Sequence, residues 1–383
     1  CSGYNPRGHA CCFSYGRLPA FITQEYSMQL GIIGLPQSGK TTLYKALTRA
    51  DIPTDISSGQ MEVHTAVVDV PDPRVDQLCA IYHPKKIVRA KVTYADIAGL
   101  DGSAGKNGLS GALSNMLSQM DGFLHVVRQF ENPSVPHQAG SVDPIRDIQT
   151  MDTEFVLNDL VMVERRLERL REEHRRGVTR DRALIQEDID LFERLQAVLE
   201  QELPLRHYAF TPEEDKLLSS FQFLSRKPQI VVFNQSEDQS PLEYHSPHPH
   251  TTTVSLPAKL EMDIAALEPE DAAIFMAEYG ITEPSLSRLI RLSYDLLGVH
   301  SFFTAGDKEV HAWTLRKGSN AREAAGVIHS DMEKGFIRAE IISFEDMITF
   351  GGTAEARTKG RLRVEGKTYL IQDGDIIEIR FNI

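Results

Sequence analysis

Residues 34–41 hold glycines, a lysine and a threonine at the spacing of a phosphate-binding loop, Gly34-Leu35-Pro36-Gln37-Ser38-Gly39-Lys40-Thr41. The glycines let successive backbone N–H groups turn toward an anion, and the helix that follows directs its positive end at the same point. Lys40 can reach the β and γ phosphates, and Thr41 can bind Mg²⁺. The motif therefore predicts a site for a nucleoside triphosphate.

A second motif is suited to a nucleotide-dependent switch. In Asp96-Ile97-Ala98-Gly99 the spacing lets Asp96 hold a metal-bound water while the N–H of Gly99 faces the γ-phosphate. The next residue, Leu100, stands where Ras-like GTPases have the glutamine that orients the attacking water. Because leucine cannot hydrogen-bond water, either hydrolysis is very slow or another polar group positions the nucleophile.

The residues that select the base depart from the guanine-specific pattern. Guanine-binding proteins carry Asn-Lys-x-Asp at this point, whereas this chain has Asn234-Gln235-Ser236-Glu237. Glu237 is one methylene longer than the aspartate that accepts hydrogen bonds from guanine, and Gln235 lacks the lysine stem that packs on the base. We therefore expect adenine to be accepted. Alternatively, Asn234 only terminates a turn.

These motifs need a sheet that brings them to one edge. Apolar strand-like runs recur along the chain, with helical segments between several of them. They lie at residues 30–33, 66–70, 91–96, 122–127 and 228–233. This alternation predicts an α/β fold with a doubly wound, mostly parallel sheet that binds its ligands at the carboxyl ends of the strands.

Composition limits the classes of protein that fit. The chain has 383 residues, 41% of them apolar, and a formal net charge of −13, so it can bury a large core but lacks a generally basic, nucleic-acid-coating surface. No apolar run approaches membrane-spanning length. Three of the four cysteines lie in residues 1–27, which show no periodicity and which we expect to be disordered or foreign to the fold. The low cysteine content fits a reducing cytoplasm.

A heptad pattern occupies the middle of the chain. Apolar residues recur at alternating spacings of four and three from Val156 to Leu170 and again, with Asp188 in one slot, from Ile185 to Leu199. This pattern predicts an antiparallel coiled-coil hairpin that turns near residue 177. Around its tip lie Arg165, Arg166, Arg169, Arg171, Arg175, Arg176, Arg180 and Arg182. They form either a basic patch for phosphate backbones or a solvated face paired with neighbouring glutamates.

The residues from about 302 onward predict a small mixed β-grasp unit. A strand pattern around residues 310–313 precedes a helix that starts near Asn320, where Glu323 completes a capping box. Further strand patterns lie at residues 337–342, 369–371 and 376–381, with Asp373-Gly374 as a hairpin turn between the last two. No catalytic cluster is evident in this unit, so we expect an interaction role.

Further short motifs, which recur together in one known protein family, lie at residues 70–74 (Val-Pro-Asp-Pro-Arg), 125–128 (His-Val-Val-Arg), 130–132 (Phe-Glu-Asn), 143–144, 302–306, 310–314, 325–331 and 372–375 (Gln-Asp-Gly-Asp). With the motifs above, they make the chain resemble the YchF / Obg-like ATPase family of P-loop proteins from Met28 to the C-terminus. The resemblance implies an ATPase that uses Mg²⁺, accepts GTP to a lesser degree and associates with the ribosome through its large subunit.

The resemblance also implies a division of the chain. Residues 28–150 and 206–301 form the P-loop NTPase domain, 151–205 the coiled-coil insertion, and 302–383 a C-terminal TGS domain. We expect the hairpin tip and the TGS domain to contact the ribosome or RNA. We further expect a cytoplasmic monomer that does not bind membranes.

Residue by residue, the resemblance assigns nucleotide contacts to Gln37, Ser38, Gly39, Lys40, Thr41, Thr42, Asn234, Gln235 and Ala258. The motifs described above add Gly34, Gly99 and Glu237. The resemblance assigns a role in hydrolysis to His137, whose imidazole can orient water, although the residues alone also fit a solvated loop histidine. The phosphate-loop motif makes Lys40 the second catalytic residue. The metal ligands are Thr41, Asp96 and Gln60. Gln60 replaces the family's switch threonine and can offer a carbonyl oxygen, but Ser57 or Ser58 can substitute for it.

Three functions fit these residues. We predict the first, a slow ATP hydrolase whose nucleotide state regulates binding to the translation machinery. The second is a nucleotide-gated ribosome or RNA adaptor with vestigial hydrolysis, which Leu100 and the missing switch threonine favour. The third is a GTPase, which Asn234 and Glu237 disfavour.

Overall fold

The computed structural model describes residues 28–49, 63–97, 109–177 and 181–382. Six strands form the first sheet: β1 (Gln29–Ile33), β2 (Val63–Asp69), β4 (Lys91–Ile97), β5 (Gly122–Arg128), β6 (Gln229–Asn234) and β7 (Thr251–Leu256). Their order is β2-β4-β1-β5-β6-β7, and every pairing is parallel except that of β2 with β4. The predicted α/β sheet is confirmed, and the carboxyl ends of its parallel strands share one edge.

Helices accompany this sheet in the described ranges: α1 (Lys40–Thr48), α2 (Pro73–Tyr82), α3 (Gly111–Ser118), α4 (Pro144–Arg176), α5 (Arg182–Leu199), α6 (Pro212–Leu218), α7 (Ala258–Ala265), α8 (Pro269–Glu278) and α9 (Ser285–Leu296). Asp72 caps α2 and Asp143 caps α4, each accepting a hydrogen bond from a first-turn N–H. A proline follows each cap, where its missing N–H loses no hydrogen bond. Among the helices described, none has the length and apolarity to cross a membrane.

Helices α4 and α5 form the predicted hairpin. α4 is 33 residues long and ends at Gly177, whose left-handed φ of 65° stops the helix. Heptad residues of both helices, among them Val163, Leu167 and Phe192, are buried in one apolar core. Asp188 occupies the heptad position predicted for it, and its side chain is only 7% exposed.

The second sheet contains β3 (Lys86–Val88), β8 (Val299–Ala305), β9 (Glu309–Arg316), β10 (Phe336–Ile342), β11 (Arg363–Glu365) and β12 (Ile376–Phe381). Its order is β11-β10-β12-β8-β9-β3. Four short helices flank it: α10 (Ala321–Ile328), α11 (Ser330–Lys334), α12 (Phe344–Phe350) and α13 (Thr353–Thr358). The capping box predicted for Asn320 and Glu323 is confirmed at the start of α10.

Strand β3 joins the two halves of the chain, because it follows α2 in sequence but pairs in parallel with β9 of the second sheet. The halves also share one apolar core, which includes Val75 and Leu78 of α2 together with Phe303, Val310 and Met347. The two sheets are therefore packed as one body around α2 and β3.

One strand prediction was wrong. Leu370 makes only an isolated bridge with Asn320, and β12 pairs with β10 and β8 instead of forming a hairpin with residues 369–371. Ile371 is 2% exposed and belongs to the core of the second sheet. The apolar pattern there reflects burial of a side chain and not strand pairing.

Several predicted features lie outside the described residues. They are the segment 1–27, the switch residues Gln60, Gly99 and Leu100 with Ser57 and Ser58, and Arg180. The division into domains stays a prediction: α4 begins at Pro144 and β8 at Val299, ahead of the predicted boundaries at 151 and 302.

Candidate nucleotide-binding site

The phosphate loop connects β1 to α1 at the carboxyl edge of the first sheet. Two of its glycines hold left-handed backbone, with φ of 147° at Gly34 and 98° at Gly39. A Cβ at Gly34 would lie 2.3 Å from the carbonyl oxygen of Val126, and one at Gly39 would lie 2.2 Å from Asn234 Nδ2. Both the backbone angle and the space therefore require glycine at these positions.

Lys40 reaches back over the loop. Its Nζ donates hydrogen bonds to the carbonyl oxygens of Gly34 at 2.9 Å and Leu35 at 3.0 Å. Burial lowers the pKa of Lys40 to about 8, and the negative charge of Asp96 opposes this effect. A phosphate group would supply further negative charge beside this buried ammonium.

Asp96 and Thr41 meet at the edge of the sheet. β4 lies beside β1 with Ile32 opposite Asp96, and Thr41 Oγ1 donates to Asp96 Oδ2 at 3.1 Å. Burial raises the pKa of Asp96, while the hydrogen bond from Thr41 and the charge of Lys40 oppose the rise. The structure thus brings together the predicted phosphate-binding lysine and two of the predicted metal ligands.

The loop also contains a hydroxyl group that suits an anion. Ser38 is 2% exposed, and its Oγ has no hydrogen-bond partner in the part of the chain that the structure describes. Leaving a buried hydroxyl unpaired costs free energy, and a phosphate oxygen accepts a hydrogen bond well. Ser38 therefore fits a bound phosphate.

The donor groups fit Mg²⁺ as well. This ion takes oxygen ligands and usually binds one or two protein groups together with substrate phosphates and water. The hydroxyl of Thr41 and the carboxylate of Asp96 are such oxygens, and they lie side by side next to the phosphate loop. Gln60, the third predicted ligand, is not among the described residues.

Asn234 connects the phosphate loop to α7. Its Nδ2 donates to the carbonyl oxygen of Ser38 at 3.0 Å, and its Oδ1 accepts from the N–H of Ala258 at 3.1 Å. The residue is 5% exposed. Because both of its bonds reach segments distant in sequence, Asn234 does more than terminate a turn, and it brings the predicted residue Ala258 to the same site.

The two other predicted base-side residues differ in their surroundings. Gln235 Nε2 donates to the carbonyl oxygen of Gln239 at 2.9 Å, while its Oε1 is buried and has no partner among the described residues. Glu237 is exposed.

Two other predicted contacts lie on the phosphate side of the site. Gln37 is exposed at the outer bend of the loop with a left-handed φ of 63°, and Thr42 is half-buried in the first turn of α1.

His137 is held against the start of α4. Its side chain is 5% exposed, its Nε2 lies 2.9 Å from Asp147 Oδ2, and its Nδ1 accepts from the N–H of Ala139 at 3.2 Å. The acceptor role of Nδ1 places the ring proton on Nε2, which donates to Asp147. His137 is therefore not a solvated loop histidine. No hydrogen bond between His137 and residues 34–41 is present in the described structure.

Two residues that sequence reasoning missed hold the loop around His137. Arg128 ends β5, is 2% exposed, and donates to the carbonyl oxygens of Phe130 at 3.1 Å and Val135 at 2.7 Å. Asp147 is 3% exposed and also accepts two hydrogen bonds from Arg146. An arginine at the end of a mostly apolar strand was a usable signal, whereas the partner of Asp147 cannot be read from local sequence.

Comparison with known proteins bears on the whole chain. Residues 299–382 match the family YchF-GTPase_C, which is described as a protein of unknown function, and residues 29–163 match the 50S ribosome-binding GTPase family. A solved structure of the YchF GTPase of Schizosaccharomyces pombe superposes with a TM-score of 0.81 at 31% identity, covering 92% of this chain and 98% of that one.

Curated relatives extend over nearly the same length. The ribosome-binding ATPase YchF of Bacillus subtilis (strain 168) is 38% identical over 93% of this chain and 100% of its own. The protein of that name in Escherichia coli O157:H7 is 39% identical over 92% of this chain and 99% of its own. The Obg-like ATPase 1 of Oryza sativa subsp. japonica is 34% identical over 93% and 92%. The chain therefore belongs to the YchF family.

Proposed function

We propose that this chain is a slow ATP hydrolase whose nucleotide state regulates its binding to the ribosome. The observation that carries the proposal is the arrangement of Lys40, Thr41 and Asp96 around one phosphate loop, in a chain that has leucine at position 100. Relatives named ribosome-binding ATPases support both the nucleotide and the partner.

The chain's own residues bind and orient the triphosphate in this proposal. Lys40 exchanges two loop carbonyl oxygens for oxygens of the β and γ phosphates, and Ser38 Oγ donates to a phosphate. The sequence motif assigns the contact with the γ-phosphate to Gly99, which is not among the described residues. Thr41 would hold Mg²⁺, with Asp96 acting through water and Gln60 as a further ligand. Mg²⁺, when bound, neutralises negative charge on the β and γ phosphates.

We assign the orientation of the attacking water to His137. Leu100 has no polar group, whereas Nδ1 of His137 is an unprotonated nitrogen that can accept a proton from water. The N–H of Ala139 and Nη2 of Arg146 both contact that nitrogen in this structure, at 3.2 and 3.4 Å. The ring has to leave these contacts before it can reach a nucleotide, which favours slow turnover in the isolated protein.

We further propose that ATP is preferred to GTP. The names of the relatives differ on this point, since the bacterial proteins are called ATPases and the fission yeast protein a GTPase. Gln235 is already bonded to Gln239, and Glu237 is exposed. Neither residue reproduces the lysine and aspartate that clamp guanine. Preferential binding of GTP in competition with ATP would favour the GTPase alternative.

The hairpin tip is the proposed contact with the large ribosomal subunit or its RNA. Arg171 pairs with Glu193 at 2.7 Å and Arg176 pairs with Glu172. Arg165, Arg169 and Arg175 form no ion pair with any described residue, so their charge is available to phosphate groups. The C-terminal TGS domain supplies a second contact. We propose that the protein acts as a cytoplasmic monomer.

Single-turnover hydrolysis of ATP, with and without ribosomes, tests the proposal. We expect slow Mg²⁺-dependent turnover that ribosomes increase, and a fall of about 10²- to 10⁴-fold in His137→Ala, the usual contribution of a positioned acid or base. His329→Ala is the matched control, because His329 caps α11 in the other half of the chain. A wild-type rate equal to that of His137→Ala and independent of Mg²⁺ would overturn the hydrolase and favour the adaptor alternative.

A further inference from the structure

Two histidines from separate segments face each other at the amino-terminal edge of the first sheet, at the opposite end of β6 and β7 from the nucleotide site. His207 ends the 3-10 turn Leu205–His207 that follows α5, and His248 lies shortly before β7. Their Nδ1 atoms are 3.3 Å apart, and their ring planes are nearly perpendicular, at 88°.

This separation is the one that a shared tetrahedral metal ion requires. With metal–nitrogen distances of about 2.0–2.1 Å and a tetrahedral angle, two coordinating imidazole nitrogens lie about 3.3–3.4 Å apart. Both Nδ1 atoms point into the space between the rings. His207 is exposed, so the pair is open to an ion from solvent.

The surroundings of His248 suit a metal ligand. Its other ring nitrogen, Nε2, lies 4.0 Å from Asp152 Oδ2, which is too far for a hydrogen bond but leaves a negative charge beside the ring. Asp152 is itself fixed by an ion pair with Arg206, which is 1% exposed.

We infer that His207 and His248 bind one divalent transition-metal ion of the zinc type through their Nδ1 atoms, with water as the remaining ligands. Within the described ranges no group of three or more His, Cys, Asp or Glu side chains forms a metal site. The site thus has two protein ligands and binds more weakly than a four-ligand structural zinc site.

The position of the pair gives the ion a structural effect. His207 lies at the base of the coiled-coil hairpin, just after α5, and Asp152 lies in α4. His248 belongs to the segment between β6 and β7. A metal bound here would add a link between the base of the hairpin and that segment. The segment already contacts α4 through His248 Nε2 and Asp152 Oδ2, 4.0 Å apart, and through Leu242 and Tyr244, which share an apolar cluster with Ile148.

Zinc titration of the untagged full-length protein by calorimetry tests this inference. We expect one equivalent of Zn²⁺ to bind in the micromolar range, and His207→Ala and His248→Ala each to weaken that binding about tenfold or more. The chain has 13 histidines, so the double variant defines the background. His174→Ala, on α4 away from the pair, is the matched control and should bind as wild type.

Two further measurements do not depend on affinity alone. Electron paramagnetic resonance of bound Cu²⁺ should show two nitrogen ligands in the wild type and one in each single variant. Zn²⁺ should slow proteolysis between residues 235 and 250 in the wild type but not in the double variant, with circular dichroism confirming that both are folded. Wild-type zinc binding in the double variant, or no zinc binding by the wild type, would overturn the inference and leave a hydrogen bond between two imidazoles.

Discussion

Arg74 and Asp373 are joined by two hydrogen bonds, Nη1 to Oδ2 at 2.9 Å and Nη2 to Oδ1 at 3.1 Å. Arg74 lies in α2 beside the first sheet, whereas Asp373 precedes β12 of the second. Asp72 fixes the same guanidinium from behind through hydrogen bonds to Nε and Nη2, and the ring of Phe303 lies 5.1 Å from its central carbon. Two motifs separated by about 300 residues in sequence thus form one contact between the halves of the molecule.

Replacing this arginine should loosen that contact. Arg74→Ala removes a two-pronged ion pair and a cation–π contact, but the pair is partly solvated, with side-chain exposures of 27% and 55%. We therefore expect a loss of only about 1–2 kcal/mol in the free energy of unfolding. Urea unfolding followed through Trp313, the single tryptophan, measures it. Arg322→Ala breaks a more exposed pair with Glu333 and should change stability by less than about 0.5 kcal/mol. Equal losses in both variants would contradict this prediction.

Gly39→Ala should abolish nucleotide binding while the fold is retained. The new Cβ would lie 2.2 Å from Asn234 Nδ2, in a backbone conformation with φ of 98° that alanine rarely adopts. Relief of this clash has to displace either the phosphate loop or Asn234, so we expect ATP affinity to fall at least about 100-fold, or roughly 3 kcal/mol. Gly111→Ala is the control, because its Cβ meets nothing within 4 Å. Fluorescent-nucleotide titration of both variants gives the comparison.

Nucleotide affinity should depend on pH through Lys40. Burial holds its pKa in the free protein at about 8, below the ordinary value of 10.5, so the side chain loses its charge as pH rises through about 8. A bound triphosphate favours the charged form. Binding above pH 8 must then take up a proton, and affinity should fall by up to about tenfold per pH unit. Calorimetry in buffers of different ionisation enthalpy counts the protons. Lys40→Arg remains charged, so it should show no such slope; an identical slope would exclude Lys40 as the source.

Asp96→Asn should raise the Mg²⁺ requirement of ATP binding. The amide oxygen can still accept the hydrogen bond from Thr41, but the negative charge near the metal is lost. We expect the Mg²⁺ concentration for half-maximal binding to increase about tenfold or more, the range seen when groups that orient a metal site are altered. Affinity for ATP in the presence of a chelator should not decrease. Asp69→Asn, at the end of β2 in an exposed pair with Lys91, should leave both values unchanged.

The parts of the site that the sequence predicted correctly are those defined by contiguous residues. The phosphate loop, the strand before it and the helix after it are local, and the apolar run before Asp96 is enough to place that residue at a strand end. Asn234 was found in the same way. Its contact with Ser38 was not predicted, because it joins residues 196 positions apart and depends on how β6 packs beside the loop.

The errors and omissions arise where distant segments decide the structure. Residues 369–371 have the composition of a strand. Both sides of β12 are already paired, one with β10 and the other with β8, so residues 369–371 have no free edge of β12 to pair with. His137 is held by its hydrogen bond to Asp147 in the first turn of α4. The spacing of the two residues in the sequence does not show this contact. The three residues of β3 were too few for a periodic pattern, and their partner is far along the chain.

The pairing of β3 with β9 constrains the order in which the protein can fold during its synthesis. Lys86 of β3 is synthesised 223 residues before Glu309, its partner in β9. During translation β3 therefore has no partner strand until the second sheet has emerged from the ribosome. Bringing β3 and β9 together is slow, because it closes a long loop of chain. Its exposed Lys86 fits the use of charge to keep a strand edge from pairing with other chains in the meantime. The sheet at the end of the chain is thus completed by a strand from its first quarter, and a fragment that begins at residue 299 would expose β9 as an unpaired edge.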